Sequence, residues 1–193
     1  MSTETEMKLS AVGVTPRQVS EHPEVRKYLR DQHPARHLGN IYFDTPELLL
    51  QRELIGLRLR RDGEQWLQTA KTSGAAVGGL HQRGEWEMPV AGEALELERF
   101  DAEELAPLFE DKALCKALAP VFRTDFQRTG WVLEFPDGTV VEMVLDLGEI
   151  IAGDRRGPIT EVELEMKGDG RVARLFALAR ALAETLPMRV LNA

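Results

Sequence analysis

Polar and apolar residues alternate along most of this chain, and the alternation marks out strands. Side chains on a strand point to opposite faces in turn. In Glu161–Lys167, Glu161, Glu163, Glu165 and Lys167 therefore share one side, while Val162, Leu164 and Met166 take the other. The opening stretch Thr3–Leu9 repeats the pattern, with Glu4, Glu6 and Lys8 in phase. Strands are also predicted over His37–Thr45, Leu57–Arg61 and Gln65–Thr72, the last two joined by an Asp62-Gly63 turn. Gln82–Pro89 places Arg83, Glu85 and Glu87 on one face. Phe122–Phe135 and Thr139–Asp146 flank the turn Pro136-Asp137-Gly138, with Glu142 and Asp146 on one face of the second arm. Gly148–Ala152 reads as a further short strand.

Helical spacing fills the gaps. Thr15-Pro16 is an N-cap followed by proline at the first helical position, and the pattern continues to about Asp31. Pro23 inside it predicts a kink or two short helices. Pro46–Arg52 is a short helical turn, Ser73–Gly79 a Gly/Ala loop, and Glu93–Leu118 mainly helical. A last amphipathic helix is predicted over about Gly170–Leu186.

Two arrangements satisfy this alternation. One is a sheet with a solvated polar face and helices on its apolar face. The other is a closed barrel of about eight strands around a charged interior. Like charges in phase at Glu4/Glu6, Arg58/Arg60, Glu85/Glu87, Glu142/Asp146 and Glu161/Glu163/Glu165 favour the second, since a solvated face mixes its signs. Acids on some strands and bases on others suit a polyanion with divalent cations, because carboxylates hold hard metals and Arg or Lys neutralise phosphate oxygens.

The 193 residues, 43% of them hydrophobic, fit one domain over residues 1–193. A formal charge of -8 argues against nucleic-acid or anionic-membrane partners. With no long apolar run and no secretory pattern, a cytoplasmic protein is expected. The single Cys115 excludes an intrachain disulfide and reads as helix packing. His22, His33, His37 and His81 lack zinc spacing, and Gly78-Gly79 lacks the Gly-Lys-Ser/Thr of a phosphate loop.

Seven ordered blocks carry a family resemblance: Glu4-x-Glu6-x-Lys8, Tyr42-Phe43-Asp44-Thr45-Pro46 and Gly56-Leu57-Arg58-Leu59-Arg60, then Lys71 with Gly78–Glu85, Thr124-Asp125-Phe126-x-Arg128, Leu145-Asp146-x-Gly148-Glu149, and Glu161-x-Glu163-Leu164-Glu165. Together they resemble the CYTH superfamily, the triphosphate tunnel metalloenzymes, and within it the bacterial inorganic triphosphatase branch. The resemblance implies an α+β fold: a closed antiparallel eight-stranded β-barrel, or tunnel, with a charged interior and helices packed outside. It further implies Mg²⁺ or Mn²⁺ as cofactor and hydrolysis of tripolyphosphate to diphosphate and phosphate. Carried onto this chain, Glu4, Glu6, Glu142, Asp146, Glu161 and Glu163 become the metal carboxylates. Lys8, Arg58, Arg60, Lys71, Arg83 and Arg128 become the phosphate ligands, with Lys8, Lys71 and Glu85 as candidates for catalysis. Neighbouring arginines would depress a lysine and fit it as a base. Tyr42 and Asp44 would touch ligand or orient an arginine.

The same family implies rival activities: hydrolysis of nucleoside or thiamine triphosphates, a class IV-type adenylate cyclase, or a non-catalytic polyphosphate- or nucleotide-binding module. It also implies a chain continuing past Ala193, often into a helical CHAD domain.

Overall fold

A computed structural model describes the backbone of residues 2–72, 76–77, 80–100, 103 and 105–191; side chains at 2–4, 76–77, 80–83 and 107 lie outside the described set. Ten strands form, in chain order β1 (Ser2–Ser10), β2 (Leu29–Asp44), β3 (Ile55–Asp62), β4 (Gln65–Thr72), β5 (Ala76–Val77), β6 (Leu80–Val90), β7 (Ala119–Glu134), β8 (Val140–Ala152), β9 (Arg155–Lys167) and β10 (Arg189–Val190). All belong to one antiparallel sheet, ordered β10-β1-β9-β8-β7-β2-β3-β4-β6-β5.

This corrects the expected fold. Where a closed barrel of eight strands was expected, the structure holds one ten-stranded sheet whose end strands β10 and β5 each have one neighbour. The sheet curls, so that β1 meets β6 as well as β9 and Thr5–Met7 has partners on both sides. The two short strands arose where sequence periodicity is uninformative, one in the expected Gly/Ala loop and one after the last helix.

Helices cover the outer, apolar face. α1 (Pro16–Glu21) starts with a capping box, in which the Thr15 hydroxyl accepts from the Gln18 amide and the Gln18 side chain accepts from the Thr15 amide. It stops before Pro23, and α2 (Pro23–Tyr28) begins there, which realises the two-helix alternative. β2 starts at once, at Leu29, far ahead of the expected His37. α3 (Leu49–Arg52) follows β2; α4 (Ala106–Phe109) and α5 (Lys112–Ala117) lie within Glu93–Leu118, the stretch expected to be mainly helical; α6 is Ala173–Thr185. The expected Gly148–Ala152 strand is the continuation of β8.

The main core joins both layers. Val19, Val25, Leu175, Leu178 and Leu182 from helices pack on Met7, Leu9, Trp131, Leu133, Met143, Leu145, Val162 and Leu164 from strands. Those strand residues are the odd-numbered half of the alternation on β7 and β8 and the even-numbered half on β9. The other half faces inward, and that is where the charges are. No helix among the described residues is long and apolar enough to cross a membrane.

Candidate active site

The curled sheet encloses an open cavity of about 560 Å³ on its inner face. Seven cationic side chains and eight carboxylates line it among the described residues. Eleven of the expected site residues are there: Glu6, Lys8, Arg58, Arg60, Lys71, Glu85, Arg128, Glu142, Asp146, Glu161 and Glu163. The side chains of Glu4 and Arg83 lie outside the described residues, although their backbones pair directly across β1 and β6.

Strand register explains the grouping, because residues directly opposite one another put their side chains together. On β7, β8 and β9, Arg128 faces Asp146, which faces Glu161; on β9 and β1, Glu163 faces Lys8. Arg128 grips Asp146 with both arms, Nε to Oδ1 at 2.8 Å and Nη2 to Oδ2 at 2.6 Å, and reaches Glu163 Oε2 at 2.9 Å. Lys8 Nζ holds the other Glu163 oxygen at 2.5 Å. β8 can press this close to β7 because residue 148 is glycine: a Cβ there would lie 2.1 Å from the Asp125 carbonyl oxygen.

A second wall is built from β2, β3, β4 and β6. Phe122, Tyr42, Arg58, Thr69 and Glu87 stand in one transverse row over five strands. Tyr42 stacks on Phe122 with ring centroids 4.3 Å apart, and its hydroxyl accepts from Arg58. Arg58 also contacts Thr69 at 3.3 Å and lies 3.7 Å from both Glu85 and Glu87. Lys71 lies 3.2 Å from Glu85. The neighbouring row carries Thr124, Asn40 and Arg60. Arg60 Nε donates to Asn40 Oδ1 at 3.0 Å, and Asn40 Nδ2 donates to the Thr124 hydroxyl at 2.8 Å. At the rim, Lys167 bridges Glu142 at 2.8 Å and Glu165 at 2.7 Å.

The electrostatics separate these groups. Burial opposes charge on Arg128, but Asp146 and Glu163 outweigh it and hold the guanidinium well above its usual value. For Glu163, burial is likewise overcome by Lys8 and Arg128, which keep the carboxyl far below the carboxylate range. Lys8 is raised, because Glu163 and Glu6 more than offset its burial. That is opposite to the depressed lysine expected at this position. On Arg60, burial and the charges of Arg58 and Arg128 act together and bring it down to about 10. Asp146 and Glu161 are both raised, by burial first and then by neighbouring carboxylates.

Among the described residues, no three carboxylate, imidazole or thiolate side chains converge on one point as a metal cage. Glu163 and Asp146 instead hold Lys8 and Arg128. The donor chemistry does fit a hard divalent ion. The inner-face carboxylates supply oxygen ligands, and the crowding that raises Asp146 and Glu161 is what such an ion relieves.

Sequence reasoning gave no site role to Asn40, Thr124 or Arg36, all of which line the cavity, nor to Lys167, which it placed on the correct face. The phase that sets Tyr42 inward also sets Asn40 inward two residues earlier, so that signal was available. Of the pair expected to touch ligand or orient an arginine, Tyr42 orients Arg58. Asp44 does neither: its carboxylate accepts from the Leu50 amide at 2.8 Å and the Gln51 amide at 3.0 Å, capping α3.

A family model described as the CYTH domain matches residues 2–192. The chain belongs to the CYTH family. A Haemophilus influenzae protein named inorganic triphosphatase is 36% identical to this CYTH chain over 189 residues. The match takes in 97% of the chain but 50% of that relative, so the chain spans about half the length of the curated protein it matches. In fold, the CYTH chain is similar to a Hippeastrum protein described as a candidate adenylyl cyclase with a dominant triphosphatase activity, at TM-score 0.64 and 16% identity over 98% of this chain and 91% of that one. It is also similar to a candidate adenylate cyclase from Bacillus halodurans, at TM-score 0.59 and 16% identity over 100% and 95% of the two chains.

Proposed function

We propose that this CYTH chain carries the active site of a metal-dependent inorganic triphosphatase, which hydrolyses tripolyphosphate to diphosphate and phosphate. The observation that carries the reading is Arg60: an inward-facing, half-buried guanidinium whose described hydrogen-bond partner is a neutral amide. A buried cation without a counterion is costly, and a ligand oxyanion removes the cost. Arg58, Lys71, Lys8 and Arg128 surround the same space, and Arg83 belongs with them in this reading. The Haemophilus relative's name supports the same substrate.

In the reaction a water oxygen bonds to the terminal phosphorus, the bridging P–O bond breaks, diphosphate leaves with the electron pair, and the proton lost by the water passes to solvent. The chain's share is positioning and charge neutralisation. Arg58 and Arg60 receive phosphate oxygens on one wall, with Lys71 kept beside Arg58 through Glu85. Lys8 and Arg128 do so on the other wall once the ligand competes for their carboxylates. Glu6, Asp146, Glu161 and Glu163, with Glu4 and Glu142, are the groups that would hold the metal. Bound Mg²⁺ or Mn²⁺ supplies Lewis-acid charge against the phosphate oxygens. Glu161, which has no ion-pair partner among the described residues, is the carboxylate best placed to take that part. A cytoplasmic setting without nucleic-acid or membrane partners belongs to the same reading and is supported by the net charge of -8.

The test is phosphate release from tripolyphosphate, ATP and thiamine triphosphate, each with Mg²⁺, Mn²⁺ or EDTA. Metal-dependent release with tripolyphosphate preferred is the expected result. Cyclic AMP from ATP, or metal-dependent binding without turnover, would overturn it.

A further inference from the structure

The two inner arginines of β3 are seated differently. Arg58 faces Glu85 and Glu87 at 3.7 Å, whereas Arg60 is met by Asn40 and, behind it, Thr124. Asn40 is 2% exposed and Thr124 9% exposed, so this relay is packed inside the sheet. Asn40 uses its carbonyl oxygen on the arginine and its amide hydrogens on the threonine, which fixes which way round the amide sits. The three residues are direct cross-strand neighbours on β3, β2 and β7.

We infer that Asn40 is a positioning residue for Arg60: with Thr124 it holds the guanidinium in place while leaving its charge uncancelled for the ligand. The inference deepens the polyphosphate reading and rests on it for the identity of the anion. Its logic is one of selection between near-isosteres. Aspartate at position 40 would orient Arg60 equally well but would neutralise it. Alanine would leave the charge but release the side chain. Only an uncharged acceptor with a donor on its other arm does both tasks. The lowering of Arg60 to about 10, in which burial, Arg58 and Arg128 outweigh the support of Glu87, agrees with a cation whose described hydrogen-bond partner is neutral.

Two readouts decide it. The first is the Kd for tripolyphosphate in EDTA, measured by calorimetry on the wild-type chain and on Asn40→Asp, Asn40→Ala and Thr124→Val. Neutralising one buried charge-assisted contact is expected to weaken Asn40→Asp by about tenfold or more. Asn40→Ala and Thr124→Val, which keep the charge, are expected to lose about threefold. The second readout needs no ligand: the rate at which phenylglyoxal modifies Arg60, followed by peptide mass spectrometry. Arg60 is expected to react faster than Arg128 in the wild type and to slow in Asn40→Asp, with melting temperature recorded to exclude unfolding.

Wild-type affinity in Asn40→Asp, together with unchanged Arg60 reactivity, would overturn the inference while leaving the polyphosphate reading intact. A wild-type chain that does not bind tripolyphosphate, yet whose Arg60 reactivity falls in Asn40→Asp, would overturn the polyphosphate reading and keep Asn40 in its role. Should Asn40→Asp unfold, Thr124→Val decides: unchanged affinity and unchanged Arg60 reactivity there sink the relay.

Discussion

Arg128 and Arg60 are both inward-facing arginines on one curled sheet, and the structure treats them in opposite ways. Arg128 is held by three hydrogen bonds to two carboxylates, Asp146 and Glu163. Among the described residues Arg60 is held by one, to a neutral amide. The first arrangement balances charge within the fold, so the ligand there must displace something. The second leaves a balance for the ligand to complete. One wall thus contributes to stability and the other to affinity, and the two kinds of arginine fail differently when removed.

The sharpest test of that contrast is Arg60→Ala. Removing a preorganised donor for developing charge typically costs about 10²–10³ in rate. A drop of about that size in kcat/KM for tripolyphosphate is expected. Melting temperature should stay level or rise, because the mutation also removes a buried, unbalanced charge. A variant that loses stability but keeps activity would break the comparison.

Arg128→Ala should behave the other way. Asp146 would lose its described ion-pair partner and Glu163 one of two, and breaking a mostly buried pair from one side costs about 3 kcal/mol. Denaturant unfolding would read that loss directly. Activity should fall as well, though it cannot be separated from stability in this variant, which is why Arg60→Ala comes first.

The walls also answer pH at opposite ends of the scale. Glu163 is held far below the usual carboxylate range, so its pairing contributes stability above the unfolded-state value near 4.5, and that contribution disappears as pH falls below it. Arg60 is lowered to about 10 from the ordinary 12.5. In that window the folded chain releases a proton that the unfolded chain keeps, so the cost of burying Arg60 lifts as pH rises past about 10. Tripolyphosphate affinity should decline over the same rise. Kd measured from pH 8 to 11 on the wild type and Arg60→Ala checks this, the variant being flat where the wild type falls.

How much of this was legible beforehand depends on what each residue's role rests on. The face of Glu161, Glu163, Lys8, Arg58 and Arg60 follows from period-two alternation, and all five line the cavity. The partners do not follow, because they are set by register: nothing local in Asn40 or Thr124 says that they stand beside Arg60. Register also settles the sheet's ends. β10 is a two-residue strand pairing Val190 with Leu9, too short for any periodicity, and the expected eight strands became ten partly through it. The mainly helical stretch Glu93–Leu118 forms only short helices for a related reason. Its apolar positions serve a satellite core with Leu50, Leu57, Ala70 and Trp86, which short separate turns reach as well as one helix does.

A smaller effect is expected at Glu161, which has no ion-pair partner among the described residues and whose carboxyl is raised by burial and by Glu163, Asp146 and Glu6. Glu161→Gln should leave melting temperature nearly unchanged, since no ion pair is broken. The metal concentration for half-maximal activity should rise about tenfold, as expected when one oxygen ligand of a hard cation is weakened. An unchanged metal requirement would move the cation site elsewhere among the carboxylates.

The finest distinction lies within the first wall, between Arg58 and Arg60. Arg58 is raised despite burial because Tyr42, Glu85 and Glu87 support its charge, whereas at Arg60 burial, Arg58 and Arg128 outweigh the support of Glu87 and Tyr42. Tyr42→Phe keeps the ring stacked on Phe122 and deletes only the hydroxyl that accepts from Arg58. A hydrogen bond to a charged group is worth about 1.5–3 kcal/mol, and the low end applies where other partners remain, so a three- to tenfold rise in KM with little change in kcat is expected. A fall in kcat with KM unchanged would mean that the Tyr42 hydroxyl acts on the reacting phosphate rather than through Arg58, and would move Tyr42 from positioning to catalysis.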